Sequence, residues 1–520
     1  MGMGFSCITS RALVVHTPLS ALVRALGEKG VAVRLVGGDV EVCGMNVDSR
    51  AIEPDDLFVC KGAAFKPAYL AGAMEKGAAA YLCAGAPAPD GAPVLPEELA
   101  AAAPGTPALV VDDVRRAMAL VAPLVYGHPE ERLEVVGITG TKGKTTVSYM
   151  LRSILEAAQI PSSILGSIET DDGIERFESH NTTPEAPDLW RHLSNSVRAQ
   201  RGHMVMEVSS QGLKYDRVLG LTFDIACFLN IGRDHISAVE HPTFEDYFAS
   251  KLKIFTQCRT AVVNLDTDRM DEVLCAARSA ERLMTVSIRD GRADFFAMDI
   301  ASTPAGLSFE VREKGDAALH AVRVGMAGLF NVENALAALA IARALGVGYD
   351  AIGRGLGQVR VPGRMELVSS ADGKVVAVID YAHNELSFET LFSSIAREYP
   401  GRRVVAVFGA PGGKAYERRE VLPRVAGAHA DHLIYTEEDP AHDAVEDICA
   451  EMAANTPEGV AHEVVCDREQ AIARAFEVAR GYEEGSVVLL LGKGDETRQH
   501  RGDEFPEVKS DLALARELLA

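Results

Sequence analysis

Apolar and polar positions along the 520 residues fall into blocks that read as strand, helix, strand. In the first 128 residues, short apolar runs at 31–36, 57–59 and 108–111 are separated by helical stretches, and an Ala/Pro/Gly-rich patch at 84–108 predicts a surface loop around a short helix. Between 129 and 361, apolar strands are expected at 133–138, up to Glu207, and from Cys227. From 362 to 520, VVAVID at Val375, VVAVFG at Val404, HLIYTEE at His432 and VVLLLG at Val487 are further strand-like runs. Between the first two, Phe388, Leu391, Phe392 and Ile395 take the i, i+3, i+4, i+7 spacing of an amphipathic helix. Such alternation predicts parallel sheets flanked by helices, an α/β fold. At roughly 150 residues per domain, the length predicts three domains, drawn at 1–128, 129–361 and 362–520.

Composition narrows the classes of function. Hydrophobic residues make up 48% and charged residues 24%, enough for several ordinary cores and incompatible with disorder as the main state. Lys+Arg 52 against Asp+Glu 74 gives a net charge of −22, which repels nucleic acid and anionic lipid but not a small anion held by a local cluster of donors. Nine cysteines without a CxxC pair argue against a disulfide framework and for a reducing compartment. No apolar run reaches the roughly 18 residues of a membrane span, and the first 20 residues make a poor signal peptide. A cytoplasmic location is expected.

The strongest local signal is LEVVGITGTKGKTTVSYMLRSILEAA. A strand enters a Gly-rich turn and leaves it as a helix whose Val147, Met150, Leu151, Ile154 and Leu155 form one apolar face. Gly140 and Gly143 let backbone N–H groups of Thr141 and Lys142 turn towards phosphate oxygens. Lys144 can reach the β- and γ-phosphates, the Thr145 hydroxyl suits Mg²⁺, and the helix start at Thr146 adds its positive dipole end. The spacing departs from a strict phosphate-loop pattern by one position, with Ile138 where the first glycine belongs and Gly137 one residue early. This loop predicts nucleotide binding without saying which reaction follows. Glu207, at the end of its strand, is a second candidate for Mg²⁺. Arg233, Asp234 and His235 end the next strand, and Lys251 follows in a helix, all at the edge where an open α/β sheet binds ligands.

The ordered series GTKGKTT, NTTPE, MEVSSQGL, NIGRDHI, YFASKLKIF, GLFNVENALAALA, GRME, DYAHN and LGKGDE resembles the Mur ligase family, ATP-dependent amino acid ligases of peptidoglycan synthesis. VDSRAIEPDDLFV and the residues after it resemble the N-terminal domain of the branch that adds the third residue, MurE. The resemblance implies an N-terminal domain that grips UDP, a central phosphate-loop ATPase domain and a C-terminal Rossmann-like domain. It implies ATP and two Mg²⁺ ions, with Lys144 and Thr145 on the phosphates and metal, Glu207 and His235 as metal ligands, and Lys251 carbamylated. A carbamate turns a lysine that cannot ligate Mg²⁺ into a carboxylate-like oxygen ligand. Asn331 matches the adenine-reading position, and Arg364 and Asp380 match ATP contacts from the C-terminal domain, with His383 near the nucleotide. Ser49 is expected near uracil, and Thr182, Thr183, Ser209 and Arg217 around the pyrophosphate and sugar. Gln211 and Gly232 stand where the family commonly has His and Ser. The segment FGAPGGKAYERR lacks a Gly-Asp-Arg-Asp run common in MurE, leaving Lys414 and Arg418 to do its work.

The implied reaction joins an amino acid to UDP-MurNAc-L-Ala-D-Glu through an acyl phosphate, by a monomer acting without nucleic acid or membrane. MurE proteins that take meso-diaminopimelate carry Asp-Asn-Pro-Arg where this chain reads Glu438-Asp439-Pro440-Ala441. Without that arginine, L-lysine is the expected amino acid and ornithine the next. Glu437, Glu438 and Asp439 suit a distal ammonium, Glu496 the α-amino end, and His442 is a possible local cation. Two rival readings are a folylpolyglutamate synthase and a non-catalytic protein on a ligase fold. The segment of about 130 residues before the phosphate loop weighs against the first, and the intact Lys144, Glu207, His235 and Lys251 against the second.

Overall fold

The computed structural model describes residues 15–62, 64–89, 91–234, 236–237, 240–303 and 306–520. Three sheets carry the architecture. The first has five strands in the order Val33–Val36, Ala108–Val111, Ala80–Ala84, Asp56–Val59, Gly44–Asn46, parallel except for its first member. Helix Val114–Val125 packs it against helix Ala186–Arg198 of the central unit, and Trp190, Val121 and Leu82 share one core. The Ala/Pro/Gly-rich patch holds a short helix, Glu97–Ala102, as expected, and also a small hairpin, Ala86–Pro87 with Pro93–Val94.

The central sheet has eleven strands. Its middle is parallel, with Glu134–Thr139 between His203–Glu207 and Phe223–Phe228. Five of the six residues of Glu134–Thr139 are buried, as in a strand covered on both faces. The parallel middle is as expected, and antiparallel strands extend it on both flanks: Glu169–Asp171 and Arg176–Glu178 on one side, Gly306–Glu313 and Leu319–Val324 on the other. On the second side Phe295–Thr303 and Gly306–Glu313 largely alternate more and less buried residues, the pattern of a sheet with one wet face. Helix Asn331–Ala344 is buried along most of its length, which its run of alanines and leucines permits.

The third sheet has six strands in the order Glu366–Ser369, Val375–Asp380, Ser486–Leu491, Arg403–Phe408, His432–Tyr435, Ala461–Val464, parallel after the first pair. The predicted amphipathic helix is Glu385–Glu398, with Phe388, Leu391, Phe392 and Ile395 buried. It docks on the central unit: the N–H of Leu329 donates to Ser394 Oγ and Glu398 Oε1, both at 2.8 Å. Among the described residues no helix is long and apolar enough to cross a membrane, and the eight described cysteines are free thiols.

Candidate active site

The phosphate loop follows Glu134–Thr139 and opens helix Lys144–Ala157. Gly143 sits at φ +88°, and a Cβ there would stand 2.4 Å from Asn334 Oδ1, so both conformation and space demand glycine. Gly137 lies inside the strand, outside the loop, and its missing Cβ makes room for the Phe223 ring, which a side chain would meet at 2.7 Å. Ile138 is wholly buried in the core. The one-residue departure from the standard spacing is therefore a packing feature of the strand. Asn230 braces the loop in both directions: Lys142 N–H donates to its Oδ1 at 2.9 Å, and its Nδ2 donates to the Lys142 carbonyl at 3.1 Å. Thr141 Oγ1 is 3.0 Å from Tyr247 Oη and accepts the Gly232 N–H at 3.0 Å.

At the end of its strand, Glu207 is buried with Oε2 accepting from Thr145 Oγ1 at 3.0 Å and from Ser167 Oγ at 3.1 Å. Its Oε1 accepts the Ser167 N–H at 2.8 Å. Lys144 and Lys251 both donate from Nζ to one acceptor, the Gly140 carbonyl, each at 2.9 Å. Two ammonium groups sharing one oxygen repel each other, and Lys251 is only 1% exposed. Burial and then the Lys144 cation hold the Lys251 amine well below the usual lysine range, with Asp234 opposing. Burial also lowers Lys144, against the pull of Glu207 and Asp234. Lys142 pairs with Asp234 at 3.2 Å. His235 lies outside the described residues.

A cavity of about 1690 Å³ opens in front of the loop. Its wall includes Thr141 through Thr146, Thr182, Glu207 and Asn331 from the central unit, and Arg364, Asp380, His383 and Glu496 from the C-terminal one. Asn331 is buried and held by its own turn, with Nδ2 donating to the Ala327 carbonyl at 2.7 Å. Asp380 accepts the N–H groups of Met365 and Ala382, at 2.9 and 2.8 Å, and burial raises its carboxyl against the Arg364 charge. Arg364 lies over the Tyr381 ring, 4.4 Å from its centre. Burial, followed by the Lys142 and Arg418 charges, holds His383 well below the usual histidine range. Asn384 donates to Asp234 across the gap at 2.9 Å. A Cβ at Gly232 would meet Leu386 at 2.7 Å, which gives the serine-to-glycine departure a reason. Gln211, the other departure, donates to Glu240 at 3.0 Å.

Thr183, Ser209 and Arg217 form a second cluster, away from the cavity wall. Thr183 Oγ1 accepts the Ser209 N–H at 2.9 Å, and Arg217 donates to the Thr183 carbonyl at 3.0 Å. Ser209 also caps helix Ser210–Lys214. Glu185 pairs with Arg217 at 3.0 Å and with Lys61, which comes from the N-terminal sheet. Thr182 connects the two clusters through Ser167, 2.9 Å from it. Ser49 lies in the turn after Gly44–Asn46 and does not line the cavity.

The acidic segment after His432–Tyr435 divides in a way its sequence does not announce. Glu437 receives two N–H groups from Arg501, at 3.0 and 2.5 Å. Asp439 and Glu496 both pair with the buried Lys493, at 2.7 and 2.6 Å. Glu438 alone keeps a buried oxygen, Oε2, with no hydrogen-bond partner. Of the three acids, then, Glu438 is the one with no ion-pair partner among the described residues, and its buried Oε2 is open to a distal ammonium. Ala441 presents no cation, and His442 points to solvent beside Asp503. Arg418 is near enough to act on the charges of both Glu438 and Lys142, whereas Lys414 is exposed.

Sequence reasoning assigned no role to Asn230, Ser167, Tyr247, Lys61 or Lys493. Asn230 and Lys493 stood inside the quoted NIGRDHI and LGKGDE segments. Tyr247 opens the quoted YFASKLKIF and Lys61 stands just after VDSRAIEPDDLFV, whereas Ser167 gave no signal, because its importance arises from contact with Glu207, 40 residues away in the chain.

Residues 138–342 match the Mur ligase middle domain and 363–494 the glutamate ligase domain of Mur ligases. The UDP-N-acetylmuramyl-tripeptide synthetase of Bifidobacterium longum (strain NCC 2705) is 36% identical over 482 residues, covering 90% of each chain. The UDP-N-acetylmuramoyl-L-alanyl-D-glutamate–L-lysine ligase of Streptococcus pyogenes serotype M28 (strain MGAS6180) is 36% identical over 476 residues, covering 91% of this chain and 92% of its own. The solved structure of a UDP-N-acetylmuramoyl-L-alanyl-D-glutamate–2,6-diaminopimelate ligase shares the fold, with a TM-score of 0.63 at 24% identity over 92% of this chain and 95% of that one. A phosphate loop braced by a neighbouring strand end, a buried glutamate on its threonine and family matches over most of the length agree: the chain belongs to the Mur ligase family.

Proposed function

We infer that this protein is the ATP-dependent ligase that adds the third amino acid to UDP-MurNAc-L-Ala-D-Glu in peptidoglycan precursor synthesis, and that the amino acid is L-lysine. The observation that carries the reading is the single cavity whose wall runs from Lys144, Thr145 and Glu207 to Glu496, so that a phosphate site and an amine site face one space. In the domain reading, residues 1–128 hold the uridine end, 129–361 the ATP and 362–520 the amino acid, and Ser49 lies near uracil.

The chemistry follows from what this chain supplies. The D-Glu carboxylate attacks the γ-phosphorus of ATP, the bond to the bridging oxygen breaks and ADP leaves. The α-amine then attacks the acyl carbon, loses a proton, and inorganic phosphate departs. Lys144 and the loop N–H groups of Gly140 to Thr146 offset charge on the transferring phosphoryl group. Thr183, Ser209 and Arg217 fix the sugar diphosphate, Asn331 the adenine, and Arg364 and Asp380 the nucleotide from the C-terminal side. Bound Mg²⁺ would add its divalent charge to that of Lys144 in offsetting the phosphates. The donor set fits it: Thr145 and Glu207 offer hard oxygens for one ion, and His235 with a carbamylated Lys251 would hold a second. The crowding of Lys251 against Lys144 supports that modification, since only a neutral amine adds CO₂ to give a carbamate and a proton. Closure of the C-terminal unit over the cavity keeps water from the acyl phosphate.

Carboxylate labelling tests the sequence of steps. With ¹⁸O in the D-Glu carboxylate, one label should appear in the released phosphate for each amide formed; unlabelled phosphate would contradict the acyl phosphate. UDP should raise the melting temperature of the whole chain without ATP, and Arg217→Ala should abolish that shift. A shift retained in full by Arg217→Ala would remove the second cluster from the sugar site.

Burial pushes the Glu438 carboxyl up to about 7, opposed by Arg418, Arg468 and Lys493. Its ionised form, which attracts a lysine ammonium, therefore grows as pH rises through neutrality. The kcat/KM for L-lysine, which reports the free enzyme, should rise more steeply from pH 6 to 8 in the wild type than in Glu438→Gln. Parallel profiles would exclude Glu438 from the amino acid site.

A further inference from the structure

The position that lacks an arginine has one beside it. Ala441 and Arg501 form a parallel bridge, in which Ala441 N–H donates to the His500 carbonyl at 3.1 Å and Gly502 N–H donates to the Ala441 carbonyl at 2.6 Å. The backbone of Arg501 is thus paired with that of Ala441, the position where a carboxylate-binding arginine would stand. The Arg501 guanidinium is engaged by Glu437, whose two oxygens take its Nε and Nη2 hydrogens while 7% of the Glu437 side chain is exposed. Glu437 neutralises the Arg501 charge and takes the Nε–Nη2 edge of its fork, leaving the Nη1 edge on a half-exposed side chain whose pull on a second carboxylate is weakened by the acid already bound.

We propose that Glu437 and Arg501 form a charge lock that sets the side-chain preference of the amino acid site: Glu437 neutralises the cation bridged to Ala441 and so disfavours an amino acid whose side chain ends in a carboxylate. The proposal rests on the reading that this loop holds the incoming amino acid. Both residues are positioning and specificity residues; neither is assigned to the reacting atoms. Asp467 adds a further negative charge near Arg501, and the other neighbouring cations are engaged elsewhere. Arg468 gives one N–H to the Glu437 carbonyl at 3.2 Å and is otherwise tied to Asp511, and Lys493 serves Asp439 and Glu496.

The test is the ratio of kcat/KM for meso-diaminopimelate to that for L-lysine, measured with the full chain, ATP and UDP-MurNAc-L-Ala-D-Glu. Glu437→Gln loosens the grip on Arg501 and should raise the ratio at least about tenfold. Arg501→Met leaves an unpaired acid and should lower it. The double variant should lose the gain of Glu437→Gln. Because the two single changes move the ratio in opposite directions, a general loss of folding cannot imitate the result. A ratio that stays within about threefold of wild type in both single variants overturns the lock. Glu438→Gln separates that failure from a failure of the underlying reading. A raised KM for L-lysine in Glu438→Gln, with no change of ratio in the other two, sinks the lock alone. An unchanged KM in Glu438→Gln removes the amino acid from this loop and sinks both.

Discussion

Lys251→Ala is expected to lose at least about a hundredfold in kcat, the scale seen when one preorganised charge-stabilising group is removed from an active site. Lys251 is buried, donates to the Gly140 carbonyl and lies 4.8 Å from the centre of the Tyr247 ring, so it is built into the back of the phosphate loop. A lysine ammonium in that place, with Lys144 on the same oxygen, adds positive charge where the loop already has it. A carbamate adds negative charge and an oxygen ligand. If the carbamate is the working form, small anions such as chloride or short carboxylates should restore part of the lost activity by entering the vacated space. UDP should still stabilise the variant, which separates loss of chemistry from loss of fold. Full activity of carefully purified Lys251→Ala would end the carbamate account, and a loss that no anion repairs would count against it.

Glu207→Gln should fall by a similar factor, again about a hundredfold or more. The change keeps the size of the side chain but removes the charge from a buried position that Thr145 and Ser167 both address. The readout that distinguishes a metal role from a structural one is the Mg²⁺ dependence. The variant should need a higher Mg²⁺ concentration for half-maximal rate, with the KM for L-lysine little changed. An unchanged Mg²⁺ dependence would assign Glu207 to holding the loop alone.

Much of this site was legible in the chain because its parts are local. The strand, turn and helix around Lys144 need only the apolar period and two glycines, and Glu207 announces itself by ending an apolar run. The helix at Phe388 was legible for the same reason. Spacing alone misled at Gly137, where a glycine that admits the Phe223 ring imitates a displaced loop residue. The antiparallel flanks of the central sheet escaped notice because a long wet-faced hairpin needs no motif. The acidic run at Glu437 shows the deeper limit. Three neighbouring acids read as one negative patch, yet the partners of two of them, Arg501 and Lys493, arrive from another segment 64 and 54 residues later and leave Glu438 without an ion pair. Charge that is paired by tertiary structure cannot be counted from the sequence that carries it.

The central claim is that one cavity joins three substrates, so the most direct measurement is ADP release under omission of each. With ATP, Mg²⁺, UDP-MurNAc-L-Ala-D-Glu and L-lysine all present, ADP should form in equal amount to a product heavier than the dipeptide substrate by one lysine residue. It should fall to background without the UDP-sugar dipeptide, and meso-diaminopimelate should be the poorer amino acid by kcat/KM. ADP formation that ignores the UDP-sugar dipeptide, or a kcat/KM for meso-diaminopimelate equal to or above that for L-lysine, would contradict the account.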